Sequence, residues 1–413
     1  MAVALALMLA GCGSSRHTAP KQPLPVGDRI AGSRLTVYVS APMRGPSAPS
    51  GEAVMNGATL ALDRIHARIG RYHILLRALD DVSVGKTAWN GAAATLAAQT
   101  AARDPTTIAY LGDLNSGASA VSIPILNRLG IAQVSPYSGA VGLTSDGPGS
   151  SPGEPQAYYP TTLRTFARVI PSDYVQAQVQ VTIQRQLGCT DTYVLTDAEY
   201  DGAAASAAFT AVAQIRHLQV AKVADYIPTE SSYTGLGQSI ASSGANCALI
   251  AAITGSNAVA LVTQVAAKNP RLRLFATSDL AESGFIDPAE GGIPTAVDGQ
   301  LVITAPTGDQ AAQSPAQRGF ESAYRRVYGT VEPTAIDGYA AMQLLIRAIR
   351  HATDDGRRTA QRVLVARSLF GRREHASVLG RYRITADGDT SLESYDVYKV
   401  AGGALRYWKT VKG

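Results

Sequence analysis

One alternating pattern runs through this chain twice, and it narrows the possible folds sharply. From Arg34 onward, short apolar runs alternate with longer segments whose apolar residues recur at helical spacing. The spacing predicts strands over 35–39, 72–79, 107–111 and 131–134. Helices are predicted over 52–68, 86–102 and 116–128, the first with Val54, Ala58, Ala61, Leu62 and Ile65 on one face. Nearly all-apolar strands separated by helices imply a parallel sheet covered on both faces. The pattern breaks over 144–160, where Gly147, Pro148, Gly149, Pro152, Gly153, Pro155 and Pro160 predict a loop without strand or helix. It then resumes with helices over 173–187, 201–216, 232–242 and 257–268, and strands over 192–196, 219–227, 248–253 and 272–277. A tail follows: a crossing strand at 301–304, helices over 310–328, 334–351 and 358–370, then strands over 380–385, 394–400 and 405–411. Residues 386–389 form a turn at hairpin spacing. A chain of 413 residues is too long for one ordinary compact domain, so two α/β lobes are expected.

The N-terminus sets the compartment. Residues 2–10 form a short apolar run ending in Leu9-Ala10-Gly11-Cys12, the pattern of a secretion signal rather than a membrane span. The tetrapeptide resembles a bacterial lipobox. In such proteins the cysteine becomes the lipid-bearing N-terminus, which assigns lipidation to Cys12 and the signal peptide to residues 1–12. No Lys or Arg precedes the run, and a start further upstream would supply one. Residues 13–33, rich in Ser, Pro and Gly, read as a flexible tether. An exported chain then keeps two cysteines, Cys189 and Cys247, each just ahead of a predicted strand. They are read as a disulfide, with two buried free thiols as the alternative.

Several segments together resemble the type I periplasmic binding proteins, specifically the branched-chain amino-acid (leucine/isoleucine/valine) binding group of ABC importers. Residues 37–45 followed by Gly51-Glu52-Ala53 and Asn56-Gly57-Ala58 look like that family's first strand, glycine loop and helix. Asp80-Asp81 resembles its acidic pair, and residues 111–116 and 135–144 resemble its ligand loops. Residues 164–173 resemble the crossover into its second lobe, and Glu199-Tyr200-Asp201-Gly202 its tyrosine-glycine turn. The resemblance spans 34–413. It implies two Rossmann-like lobes with a ligand cleft between them, joined by three crossing strands near 162–170, 279–299 and 373–380. Lobe 1 is then 34–165 and 301–375, and lobe 2 is 166–300 and 376–413. Hinge closure on a ligand is the implied motion.

Candidate ligand residues follow from strand ends, because strand C-termini of open α/β sheets face the crevice. Ser116 opens a helix, where a hydroxyl and free N–H groups suit a carboxylate; a plain N-cap is the blander role. Tyr137, Ser138 and Gly139 follow the next strand. The resemblance implies that this loop touches the ligand, although Tyr137 is bulky and Gly139 replaces a threonine hydroxyl. Asp279 matches the family's acidic residue for the amino group, with a helix-cap Asp as the alternative. Tyr200 matches a cleft tyrosine. Other family aromatics are absent, at Thr254-Gly255 and at Ser50. The insertion 146–159 reads as a solvated loop before it reads as a lid.

Other chemistries fit poorly. Gly85-Lys86-Thr87 lacks the earlier glycine of a phosphate loop, and Asp80-Asp81 beside it would repel phosphate. No Gly-x-Ser-x-Gly stands at a predicted strand-to-helix turn, and there is no His-Glu-x-x-His, so no catalytic residue, metal or cofactor is expected. The excess of 37 basic over 32 acidic residues is mild. Its spots at Arg325-Arg326, Arg357-Arg358 and Arg372-Arg373 read as solvated faces. Export sets nucleic acid aside as a partner, and the resemblance implies a monomeric, lipid-anchored extracytoplasmic solute-binding protein. It would capture an amino acid or a related amide and deliver it to an ABC permease. The alternative is a ligand sensor feeding a membrane kinase.

Overall fold

A computed structural model of the chain describes residues 28–308, 310, 313–372 and 374–413. The signal segment, Cys12, most of the expected tether and Arg373 lie outside the described residues.

The first series builds β1 (Arg34–Ala41), α1 (Ala48–Asp63), β2 (Arg68–Ile69), β3 (Tyr72–Asp80), α2 (Gly91–Arg103), β4 (Thr107–Leu111), α3 (Ser116–Asn127), β5 (Ala132–Ser135) and β6 (Phe166–Arg168). These strands form a six-stranded sheet in the order β2-β3-β1-β4-β5-β6, parallel except for the short β2. The second series supplies α4 (Asp173–Gln186), β7 (Asp191–Thr196), α5 (Tyr200–Ile215), β8 (Gln219–Asp225), α6 (Thr234–Ser243), β9 (Cys247–Ala251), α7 (Ala258–Lys268), β10 (Arg273–Ala276), the one-turn α8 (Ser283–Ile286) and β11 (Leu301–Ala305). The tail adds α9 (Pro315–Tyr328), α10 (Ala335–Thr353), α11 (Arg362–Ser368), β12 (His375–Ser377), β13 (Gly380–Tyr382), β14 (Ser394–Val400) and β15 (Leu405–Lys412). The second sheet has seven strands, β15-β14-β11-β10-β9-β7-β8, with β14 and β15 antiparallel at one end. Two α/β lobes result, as the alternation predicts.

Two of the three crossings differ from expectation. The chain leaves the first sheet after β6, close to the expected place. It returns only after β11, whose five residues are all buried and pair in parallel with β10 in the register Leu274↔Leu301. Residues 301–305 therefore belong to the second lobe, where Thr304 Oγ1 also accepts from Gln176 and Gln180 of α4. The last crossing lies after Ile384 rather than at 373–380. Val378, Leu379, Tyr382 and Ile384 pack into the first lobe's core with Ile349 and Val365. β13 pairs with β12 and not with the β14–β15 hairpin.

The expected tether also ends early. The Arg362 N–H donates to Asp28 O, the Val363 N–H to the Asp28 carboxylate, and the Ile30 N–H to Ala360 O, so residues 28–30 dock on the first lobe. Ile30 is buried there.

The helices α1 and α10 cross at glycines. A Cβ on Gly57 would lie 2.1 Å from Ala335 O, and one on Gly338 would lie 2.4 Å from Val54 O. Only a residue without a side chain permits that approach. In the second lobe a disulfide joins Cys189 to Cys247, Cα to Cα 5.7 Å. It forms where β7 and β9 lie side by side, with Thr192 opposite Cys247. Among the described residues, no helix is long and apolar enough to cross a membrane.

Candidate functional site

The strand C-termini of both sheets point into the space between the lobes, so their loops meet there. From the first lobe come Ser47, Asp113, the start of α3 and residues 137–139. From the second come Asp197, Asp201, Thr254, Asp279 and Glu282. The loops touch across the cleft. Tyr137 Oη donates to Ser278 O at 3.2 Å, Ser47 Oγ to Glu282 Oε1 at 2.7 Å, and Thr87 Oγ1 to Gly255 O at 2.9 Å. The Ser283 N–H donates to Glu332 Oε1 at 2.7 Å. Between them lies a closed space of about 10 Å³ whose walls include Asn115, Tyr137, Asp279 and Glu282. That is room for about one water-sized group.

The α3 N-terminus is already capped, and from the opposite lobe. The Ser116 N–H donates to Asp201 Oδ1 at 2.5 Å and the Gly117 N–H to Asp201 Oδ2 at 3.2 Å. Asp201 stands in the first turn of α5 and is 3% exposed. Its carboxylate meets two of the donors that a helix start leaves unpaired, at the positive end of the helix dipole. Ser116 Oγ in turn accepts the Ala140 N–H at 3.1 Å. Trp89 covers the same end: a Cβ on Gly117 would lie 2.1 Å from its ring.

The other expected site residues fall into two groups. Tyr137 and Asp279 line the closed space. Asp279 is mostly buried, and its Oδ2 faces Thr277 Oγ1 at 3.5 Å. Ser138 and Gly139 lie beside the cleft but serve the loop. Ser138 Oγ bonds to Asp113 O and Ser119 Oγ, and its N–H donates to Ser135 Oγ. Gly139 O accepts the Asp173 N–H at 2.8 Å. Tyr200 is turned away from the closed space. Its hydroxyl donates to Glu154 Oε1 at 2.6 Å and meets Tyr158 Oη at 3.0 Å. The 146–159 insertion is thus fastened to α5 through a buried glutamate, and it contains a short helical turn over Gln156–Tyr158 where a bare loop is expected.

Acids dominate the electrostatics. Burial pushes the carboxyls of Asp113, Asp197 and Asp201 up to about 6, and those of Asp173 and Glu282 up to about 7. Hydrogen bonds hold several of these back: Ser122 and Tyr110 on Asp113, the Ser116 and Gly117 amides on Asp201. Asp279 is raised further, by burial and then by the charges of Asp201, Asp173 and Asp197. Asp81 is fully buried and neither of its carboxyl oxygens has a hydrogen-bond partner. Burial lifts it well above the ordinary range, and Asp113, Asp80 and Asp201 add to that. Arg168 lowers Asp173 but pairs with Asp389 at 2.7 Å. An arrangement of this kind holds a positive group well and a second anion poorly.

Sequence reasoning missed Asp201, Glu282, Asp173 and Trp89. The signal for Asp201 and Trp89 was present, because each sits in a loop or first helical turn after a parallel strand, at the crevice end of its sheet. Nothing in the sequence shows that Asp201 reaches the other lobe. Among the described residues, no group of His, Cys, Asp and Glu is arranged to hold a metal ion.

The sequence profile of the family described as "periplasmic binding protein" matches residues 35–404. No curated protein sequence is significantly similar to the chain. Among solved structures, a leucine binding protein (LivK) from Thermotoga maritima superposes with a TM-score of 0.77 at 21% identity. The match covers 92% of this chain and 99% of that one. An ABC transporter solute binding protein from R. palustris in complex with benzoate gives 0.74 at 18% identity, over 92% and 96%. The branched-chain amino acid binding protein LivJ of Streptococcus pneumoniae in complex with isoleucine gives 0.75 at 16% identity, over 92% and 100%.

Proposed function

We propose that this chain, which belongs to the periplasmic binding protein family, captures a small nitrogen-bearing solute between its two lobes and hands it to an ABC permease. Membership of the family implies an extracytoplasmic place of work. Lipid attachment at Cys12 and a monomeric state are part of the proposal. The observation that carries the reading is the position of Asp279 on the wall of an acid-rich space that forms where the lobes meet. A buried carboxylate without a partner is costly; an ammonium of the solute would supply a positive one, and an amide N–H a hydrogen-bond donor. Leucine and isoleucine of the relatives carry such a nitrogen, whereas benzoate does not. We therefore name an amino acid or a related amide as the solute class. The protein binds without covalent chemistry.

Thermal unfolding of the purified chain tests this against amino acids, amides, short peptides, aromatic acids and sugars. A true ligand at a hundred times its dissociation constant adds about 2.7 kcal/mol, a shift of several degrees. A shift with an amino acid or amide that disappears in Asp279→Ala supports the proposal. A shift with sugars or aromatic acids alone overturns the nitrogen-anchor reading.

A further inference from the structure

We infer that Asp201 is a built-in carboxylate that takes the place a ligand carboxylate would occupy, so the solute carries a positive nitrogen and no carboxylate. The inference rests on the solute-binding reading above and narrows its class to amines, amino amides among them. The start of α3 carries Ser116, lies near Tyr137 and meets the second lobe at Asp201. Both the Ser116 and the Gly117 amides already donate to Asp201, across the cleft and out of contact with solvent. A carboxylate brought to the same amides would have to displace Asp201 and leave it buried beside a second anion. Two buried like charges at that separation cannot both stay ionised.

The surroundings select for the opposite charge. Asp81 lies close enough to Asp201 and Asp113 to be raised by their charges, is fully buried, and has no donor on either oxygen. Asp279 and Glu282 line the adjoining space, and no Lys, Arg or His lines it. The space admits only a group the size of an ammonium, so the body of any larger solute must hold the lobes further apart than they stand here. The arrangement therefore combines a negative site for a cationic head with a permanent block against acids.

The test compares three matched probes, leucine, leucinamide and isoamylamine, together with benzoate, on the purified chain and on Asp201→Ala. Titration calorimetry gives the affinities, and thermal unfolding reports folding. The expected result is that the native chain binds leucinamide or isoamylamine at least tenfold more tightly than leucine. Asp201→Ala then gains at least tenfold for leucine, because the two amides are released. Leucine or benzoate binding the native chain as tightly as the amide overturns the inference while leaving the solute-binding reading intact. A native chain silent to every probe, with Asp201→Ala binding leucine, supports the block by Asp201 and counts against solute capture by the native protein. Silence of both cooperatively folded proteins overturns the inference. If Asp201→Ala fails to fold, Asp201→Asn keeps the shape and one acceptor without the charge. It is expected to narrow the gap between leucine and leucinamide, and an unchanged gap overturns the inference.

Discussion

Gly139 and Asp173 stand so close that a Cβ on the glycine would lie 2.1 Å from Asp173 Oδ1. The pair spans the first crossing between the lobes. Gly139 O also accepts the Asp173 N–H, so the backbone cannot simply retreat. Gly139→Ala is expected to cost about 1–3 kcal/mol, the usual range for overpacking a tight site. Urea unfolding measures it. A midpoint equal to the native one would mean that the Asp173 carboxyl swings aside freely.

Arg168 is 0% exposed and makes contacts from all three guanidinium nitrogens. It donates to Asp389, to Ser138 O and Ala140 O, and to Thr144 Oγ1 at 2.6 Å. Arg168→Ala removes all of these contacts and the charged partner of Asp389, and is expected to destabilise by about 3–5 kcal/mol. Asp389→Asn retains an acceptor oxygen and should cost about 1 kcal/mol. Equal losses in the two variants, by chemical denaturation, would contradict this ordering.

The Cys189–Cys247 bridge closes a long loop, at a sequence separation of 58. Chain-entropy arithmetic for that length gives about 4 kcal/mol of stabilisation, through constraint of the unfolded chain. Reduction, or the double replacement by Ala, is expected to lower the melting midpoint by several degrees. A midpoint insensitive to reductant, with free thiols verified by labelling, would remove the bridge from the account of stability.

The fold was largely legible because period-2 and period-3.6 apolar patterns report directly on which faces are buried. The strand expected at 72–79 is Tyr72–Asp80, and the helix expected at 116–128 is Ser116–Asn127. Less legible was the sheet to which β11 belongs, since Leu301–Ala305 is apolar on both faces and would suit either one. The docking of residues 28–30 was hidden for a different reason: it depends on backbone groups of α11 more than three hundred positions away. The site was legible only where strand ends announce it. Tyr137 and Asp279 meet at the closed space, whereas the partner of Ser116 is set by how the lobes close, which no local pattern encodes.

The buried acids give the protein an inverted response to pH. Asp113, Asp197 and Asp201 stand at about 6, and Asp173 and Glu282 at about 7, all above the values of an unfolded chain near 4. The folded state then binds more protons than the unfolded state between about pH 4 and 7. Stability from these groups is fully present below that window and is lost as pH rises through it. The melting midpoint is expected to climb as pH falls from 8 toward 5. A midpoint that falls steadily over that range would show that these carboxyls keep their charge at ordinary values.

Three passages of chain between the lobes lace the two bodies together. After β6, after β11 and after Ile384 the backbone changes lobe, so each lobe is assembled from separated pieces. A nick at the first crossing leaves the whole first sheet on one fragment and that lobe's helices α9–α11 on the other, and a nick at either later crossing parts β14 and β15 from the rest of the second sheet. The pieces remain held by buried strands and helices, and a nicked molecule keeps the size and outline of an intact one. Detachment of a lobe requires three cuts, and neither lobe corresponds to a single stretch of gene.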